Sequence, residues 1–213
     1  MEETYQPYRY LLLLRFVLVN LVGASLLGSA YMQGWLDGFF VDTTLELSLV
    51  IGGAFLLGLI SCGIKIWRTS VELNDINSGD PANQSRAYKY LETIYGGGAE
   101  SRSLAAAALR LKLASSAAVI RQVANGLVFL GLIGTVIGFI IALSGVDPNR
   151  ATEVDNVARM IATLIGGMSV ALYTTLAGSV LYVWLSINHR ILSNGSVSLI
   201  TAIIELGERR ARL

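Results

Sequence analysis

Residues 126–145 read GLVFLGLIGTVIGFIIALSG. Twenty residues without a charge, at about 1.5 Å of rise each, give a helix as long as the ~30 Å hydrocarbon core of a bilayer. The run is not plain hydrocarbon, however. Gly131, Gly134, Gly138, Ala142 and Gly145 recur at steps of three and four, which places them on one helix face. Thr135 stands in the middle of the run. In lipid, helices associate through close packing and hydrogen bonds, and small residues let their backbones approach. The stripe therefore predicts a partner helix.

That partner is found at 160–187, where Gly167, Ala171, Thr174 and Gly178 again step by three and four, with Met168, Thr175 and Ser179 beside them. Two further apolar runs have spanning length. One covers 10–31, with Arg15 and Asn20 inside it, and the other covers 45–67. The composition agrees: 54% of the residues are hydrophobic and 15% charged, against roughly 25% charged in soluble domains. Mean hydropathy is +0.59. The sequence predicts an all-α, polytopic membrane protein with four transmembrane helices. The opening MEETYQPYRY is acidic and polar where a signal peptide would be basic, so no cleaved leader is expected. The single cysteine, Cys62, excludes an internal disulfide and reads as a small buried hydrophobe.

Charge sets the expected orientation. The link between the first two spans carries Asp37 and Asp42 and no Lys or Arg. The long link between spans two and three carries Arg68, Arg86, Lys89, Arg102, Arg110, Lys112 and Arg121, and the tail carries Arg190, Arg209, Arg210 and Arg212. By the positive-inside rule the N-terminus, the long link and the tail are cytoplasmic. Arg15 is close enough to the inner end of span one to snorkel. The chain divides into 1–67 (N-terminal stub and spans one and two), 68–125 (cytoplasmic link), 126–187 (spans three and four) and 188–213 (C-terminal helix). Within the link, NDINSGDPANQS at 74–85 predicts a helix break, 86–95 a short helix and GGG at 96–98 a turn. Residues from Ser101 or Ser103, either of which could cap a helix, run on into span three. Spans three and four are thus expected to extend into the cytoplasm, with spans one and two plainer and Asn194-Gly195 interrupting the tail.

The hydroxyls are the candidate chemistry. Thr135 lies near the middle of span three, Thr174 and Thr175 near the middle of span four, and Ser169 about one and a half turns toward the outside. The two helices run in opposite directions, so these groups can meet at one depth. A threonine can also satisfy itself on the carbonyl four residues back. As a group they read as the lining of a polar path, because a hydroxyl both donates and accepts and can hold water or a partly dehydrated cation without a buried charge. Asp155 and Arg159, at i and i+4, can pair at the outer mouth. No Asp or Glu lies within the inner parts of spans three and four, so such a path has no titratable group of its own.

GLIGTVIG around Thr135 and GMSVALYTTLAG at 167–178 resemble the two motif helices of the MotA/TolQ/ExbB family, the larger subunits of ion-driven motors in bacterial inner membranes. The resemblance covers residues 125–190 and, beyond them, the topology. Four spans with both termini inside resemble the flagellar-stator branch. The resemblance implies a homopentamer around a dimer of a single-transmembrane MotB/TolR/ExbD-like subunit, with threonines at the positions of Thr135 and Thr175 facing that partner's aspartate. It implies proton or sodium transport, membrane lipid as surroundings and no nucleic acid. The TolQ/ExbB branch carries a proline where this chain has Val128, an acid where it has Val170 and a late proline that is absent near Trp184.

Other function classes fare worse. Ser169 has no GxSxG setting, and the single histidine, His189, is twenty residues along the same helix, roughly 30 Å away. One His and one Cys cannot form a metal set. No phosphate loop is present. An enzyme is therefore not expected, nor any cofactor beyond the transported ion. A non-conducting four-span scaffold remains the alternative that the composition allows.

Overall fold

The computed structural model describes residues 11–34, 42–77, 85–94, 99–146 and 154–211. Five helices follow one another: α1 (Leu11–Met32), α2 (Asp42–Asn77), α3 (Arg86–Ile94), α4 (Ala99–Ser144) and α5 (Val154–Ala211). Among the described residues no strand occurs. Four of the five, all but α3, are long and apolar enough to cross a membrane. The chain is an all-α, multi-pass membrane protein. Lipid offers the backbone no hydrogen-bond partner, so each span closes its own bonds as a helix.

The local chemistry explains the ends that are visible. α1 stops at Gly34, whose φ of 74° is the left-handed conformation glycine adopts without strain, and the Gly34 N–H donates to the Tyr31 carbonyl at 3.0 Å. α3 starts behind Ser85, whose hydroxyl accepts the Tyr88 N–H at 3.1 Å. That is the usual N-cap bond to the third helical residue.

Two compact units share these helices. One comprises 1–21, 60–121 and 187–213. Its core is Ile76 from α2, Ala87, Tyr90 and Leu91 from α3, Leu113 from α4, and Leu199, Ile200 and Ile203 from α5. Ion pairs flank it, Arg86 to Glu72 at 3.7 Å and Arg102 to Glu208 at 3.9 Å. In the same unit, Asn20 donates to the Asn188 side-chain oxygen at 2.9 Å and to the Phe16 carbonyl at 2.8 Å. Asn188 is fully buried, and the Lys65 ammonium reaches the Ser116 carbonyl at 2.6 Å. The other unit comprises 22–59 and 122–186. There Trp184 of α5 packs on Phe55 of α2 with ring centroids 5.2 Å apart and lies directly against Gly23 of α1.

Four expectations need correction. α2 does not end with the apolar run at Trp67 but continues to Asn77, because Leu73 and Ile76 still have a core to enter. Span two is therefore not plain. α5 passes through Asn194-Gly195 without interruption. Gly195 is small there because Leu12 of α1 presses on it, so the glycine serves close approach rather than a turn. α4 begins at Ala99, which leaves Ser101 and Ser103 inside the helix and not at its cap. Residues 96–98 lie outside the described residues.

Candidate functional site

The α4–α5 seam is built by backbone contact. A methyl group at Gly138 would strike the Ala171 nitrogen and the Gly167 carbonyl; one at Gly167 would strike the Ala142 nitrogen and the Gly138 carbonyl. At Gly178 it would meet the Leu127 carbonyl and the Gly131 backbone, and at Gly131 the Thr174 carbonyl and Thr175 Cα. Gly145 continues the seam against the Thr163 side chain. Each small residue of the two stripes thus has an opposite number on the facing helix. This contact lies within one chain.

The approach brings Thr135 Oγ1 and Thr175 Oγ1 to 2.6 Å. Both also lie near the Gly131 carbonyl, Thr135 at 3.1 Å and Thr175 at 3.2 Å. Three oxygens share two hydroxyl hydrogens. One hydroxyl donates to Gly131, and the other donates to its fellow threonine. Both hydrogens are then used inside the chain, while lone pairs remain on the hydroxyl oxygens. Thr175 is exposed and Thr135 half-buried, so those lone pairs can be reached from the protein surface. The site accepts a hydrogen bond or a cation as it stands. It can also donate to an anion by turning one hydroxyl away from its internal partner. Around it α4 and α5 expose Val136, Ile140, Leu172 and Leu176, so the pair is a polar spot on an apolar surface.

The other hydroxyls are placed differently. Thr174 is fully buried, donates to its own helix at Val170 (2.9 Å) and Ala171 (3.2 Å), and fills the space beneath Gly134. Successive helical residues point about 100° apart, so Thr174 enters the seam while Thr175 clears it. Ser169 is half-buried and donates to the Ile165 carbonyl at 2.9 Å, apart from the threonine pair. Asp155 and Arg159 lie in the first two turns of α5; the Asp155 side chain is outside the described residues, so their pairing is too. Among the described residues no cluster of three His, Cys, Asp or Glu could hold a metal.

The third oxygen is not legible in the sequence. A backbone carbonyl has no residue signature, and Gly131 reads only as a small residue until its carbonyl is seen beneath both hydroxyls. The Asn20–Asn188 pair was half visible: an amide inside a span needs a partner, but nothing in the sequence says which.

A comparison with protein families matches residues 99–204 to the MotA/TolQ/ExbB proton channel family. No curated protein and no solved structure matches the chain. The matched segment holds all of α4 and α5 as far as Ile204, and with them both threonines and every glycine of the seam. Through residues 99–204 the chain belongs to the MotA/TolQ/ExbB proton channel family.

Proposed function

We propose that this chain is the larger subunit of an ion-driven membrane motor, and that Thr135 and Thr175 form its half of a proton or sodium path. The other half is an aspartate on a single-span MotB/TolR/ExbD-like partner. Five copies surround two copies of that partner in the bacterial inner membrane, with the termini in the cytoplasm, and ion-motive force is converted there into mechanical work in the cell envelope. The observation that carries this reading is the hydroxyl pair, 2.6 Å apart and reachable from an apolar face.

The chemistry follows from the lone pairs. A protonated carboxyl brought to the pair donates its hydrogen to the outward hydroxyl oxygen and is held as a neutral group. When the proton leaves, the same oxygen can turn its hydrogen toward the carboxylate. Neither state leaves an unpaired charge facing hydrocarbon, which would cost several kcal/mol. A sodium ion would instead take oxygen ligands from the two hydroxyls and the carboxylate. The pair thus accommodates both states of the carrier without any fixed charge of its own.

The test is ion flux in vesicles holding the chain with the single-span protein that co-purifies with it. Thr135→Val and Thr175→Val are each expected to abolish flux while the native mass stays at that of a pentamer with its partner, about 115 kDa for the five larger chains. Thr175→Ser, which keeps the hydroxyl, is expected to retain flux. Normal flux in both valine variants would remove the hydroxyl path. Imposing a proton gradient or a sodium gradient alone identifies the ion.

A further inference from the structure

Within the unit formed by 1–21, 60–121 and 187–213, one face of α4 is left without a partner. Leu113, Ala117 and Ile120 are buried, but Leu104, Ala107, Ala108, Leu111, Ala114 and Ala118 are exposed and step along about four turns of one side. Arg121 and Arg190, both exposed, mark where α4 and α5 leave the membrane. Leu111 is ten residues beyond Arg121, about 15 Å, and Val197 is seven beyond Arg190, about 10 Å. The headgroup layer is roughly 5–8 Å deep, so lipid does not cover either side chain.

The occupant follows from area and level. The face is some 22 Å long and one helix wide, on the order of 200 Å², where a stable interface takes roughly 800 Å² from each partner. That is too little to hold a freely diffusing protein. It is enough to be covered by one that the membrane already holds alongside, because most of the loss of translational freedom has then occurred elsewhere. The second feature is on α5. Arg102 pairs with Glu208, and His189 bonds the Ala117 backbone, which fixes the antiparallel register of the two helices. In that register Leu111 falls level with residues 195–199 of α5, and the large apolar side chain exposed there is Val197. Leu111 is 72% exposed and Val197 60%. Copies of one chain in one membrane, inserted the same way, are related by rotation about the membrane normal, and such a rotation preserves level.

We infer that the water-side face of α4 docks against the outward face of α5 in a second copy of this chain, with Leu111 of one copy meeting Val197 of the next. The contact is heterologous. Each copy offers its α4 face on one side and its α5 face on the other, and repetition closes a ring. The inference rests on the homo-oligomer reading above and adds to it a surface and a register.

The test is disulfide crosslinking of the full chain in membranes, with buried Cys62 changed to Ala. Chains bearing Leu111→Cys and differently tagged chains bearing Val197→Cys are co-expressed and oxidised. A mixed dimer is expected, and a chain carrying both changes should give a ladder ending at the ring. Ile187→Cys, ten residues and about 15 Å from Val197 on the same helix, should not pair with Leu111→Cys. Native mass is measured in parallel. An oligomer whose Leu111→Cys pairs only with itself, with Ile187→Cys as readily, within its own chain, or with a protein of another mass overturns this interface and leaves the motor reading standing. The same holds for an oligomer with no crosslink. A monomeric chain overturns both.

Discussion

Gly138→Ala probes the link between packing and the hydroxyl pair. The added Cβ would sit 2.5 Å from the Ala171 nitrogen and 2.6 Å from the Gly167 carbonyl, where ordinary contact begins near 3.4 Å. Both obstacles are backbone atoms and cannot rotate aside, so α4 and α5 must separate locally by about 0.9 Å. Thr135 is three residues away, less than one turn. The same opening carries its hydroxyl from 2.6 Å to about 3.5 Å from that of Thr175, beyond useful O–H···O range. Overpacking of this kind costs about 1–3 kcal/mol, against which alanine returns about 1 kcal/mol of helix propensity. Gly126→Ala is the control, since nothing lies within 4 Å of a Cβ there. Two readouts are needed, thermal unfolding in mild detergent and ion flux with the partner. Gly126→Ala should unfold at or above the wild-type temperature and conduct. Gly138→Ala should unfold lower and conduct poorly although both threonines remain. If Gly138→Ala matches wild type in both, the seam does not set the hydroxyl spacing and the reasoning fails.

Replacing Asn188 by Leu removes one partner of the Asn20 amide, and replacing Asn20 by Leu takes that bond from the fully buried Asn188, at about 1–3 kcal/mol each. The double replacement should cost less than the two together, as a double-mutant cycle on unfolding would reveal; strict additivity would dissolve the pair. Gly195→Ala meets the Leu12 side chain first, which can rotate, so its unfolding temperature should fall much less than that of Gly138→Ala. An equal fall would deny that contrast. Burial, with a further push from Glu208, holds the Tyr90 phenol above its usual 10.0 despite Arg102. Stability from this group is fully present below pH 10 and is lost as pH rises through the higher folded value. Tyr90→Phe should therefore lose less stability than wild type between neutral pH and pH 11; parallel pH curves would contradict this.

The sequence alone determined the four spans and the α4–α5 seam. Lipid requires every span to close its own backbone bonds, so hydropathy locates the helices, and a period near 3.6 assigns Gly131, Gly138, Gly167 and Gly178 to facing stripes. It also located the hydroxyls worth examining. Only the tertiary structure decided among them. Thr174 and Thr175 are adjacent and chemically identical in the sequence, and their roles part because one side chain points into the seam and the other past it. Gly195 looked like a break until Leu12, 183 residues earlier, was found against it. Asn20 and Asn188 bond across a separation of 168 residues. Helix and span arise from short-range periodicity, which a linear text records. Contacts between helices depend on rotation about each axis, and a single residue step of about 100° is enough to change them.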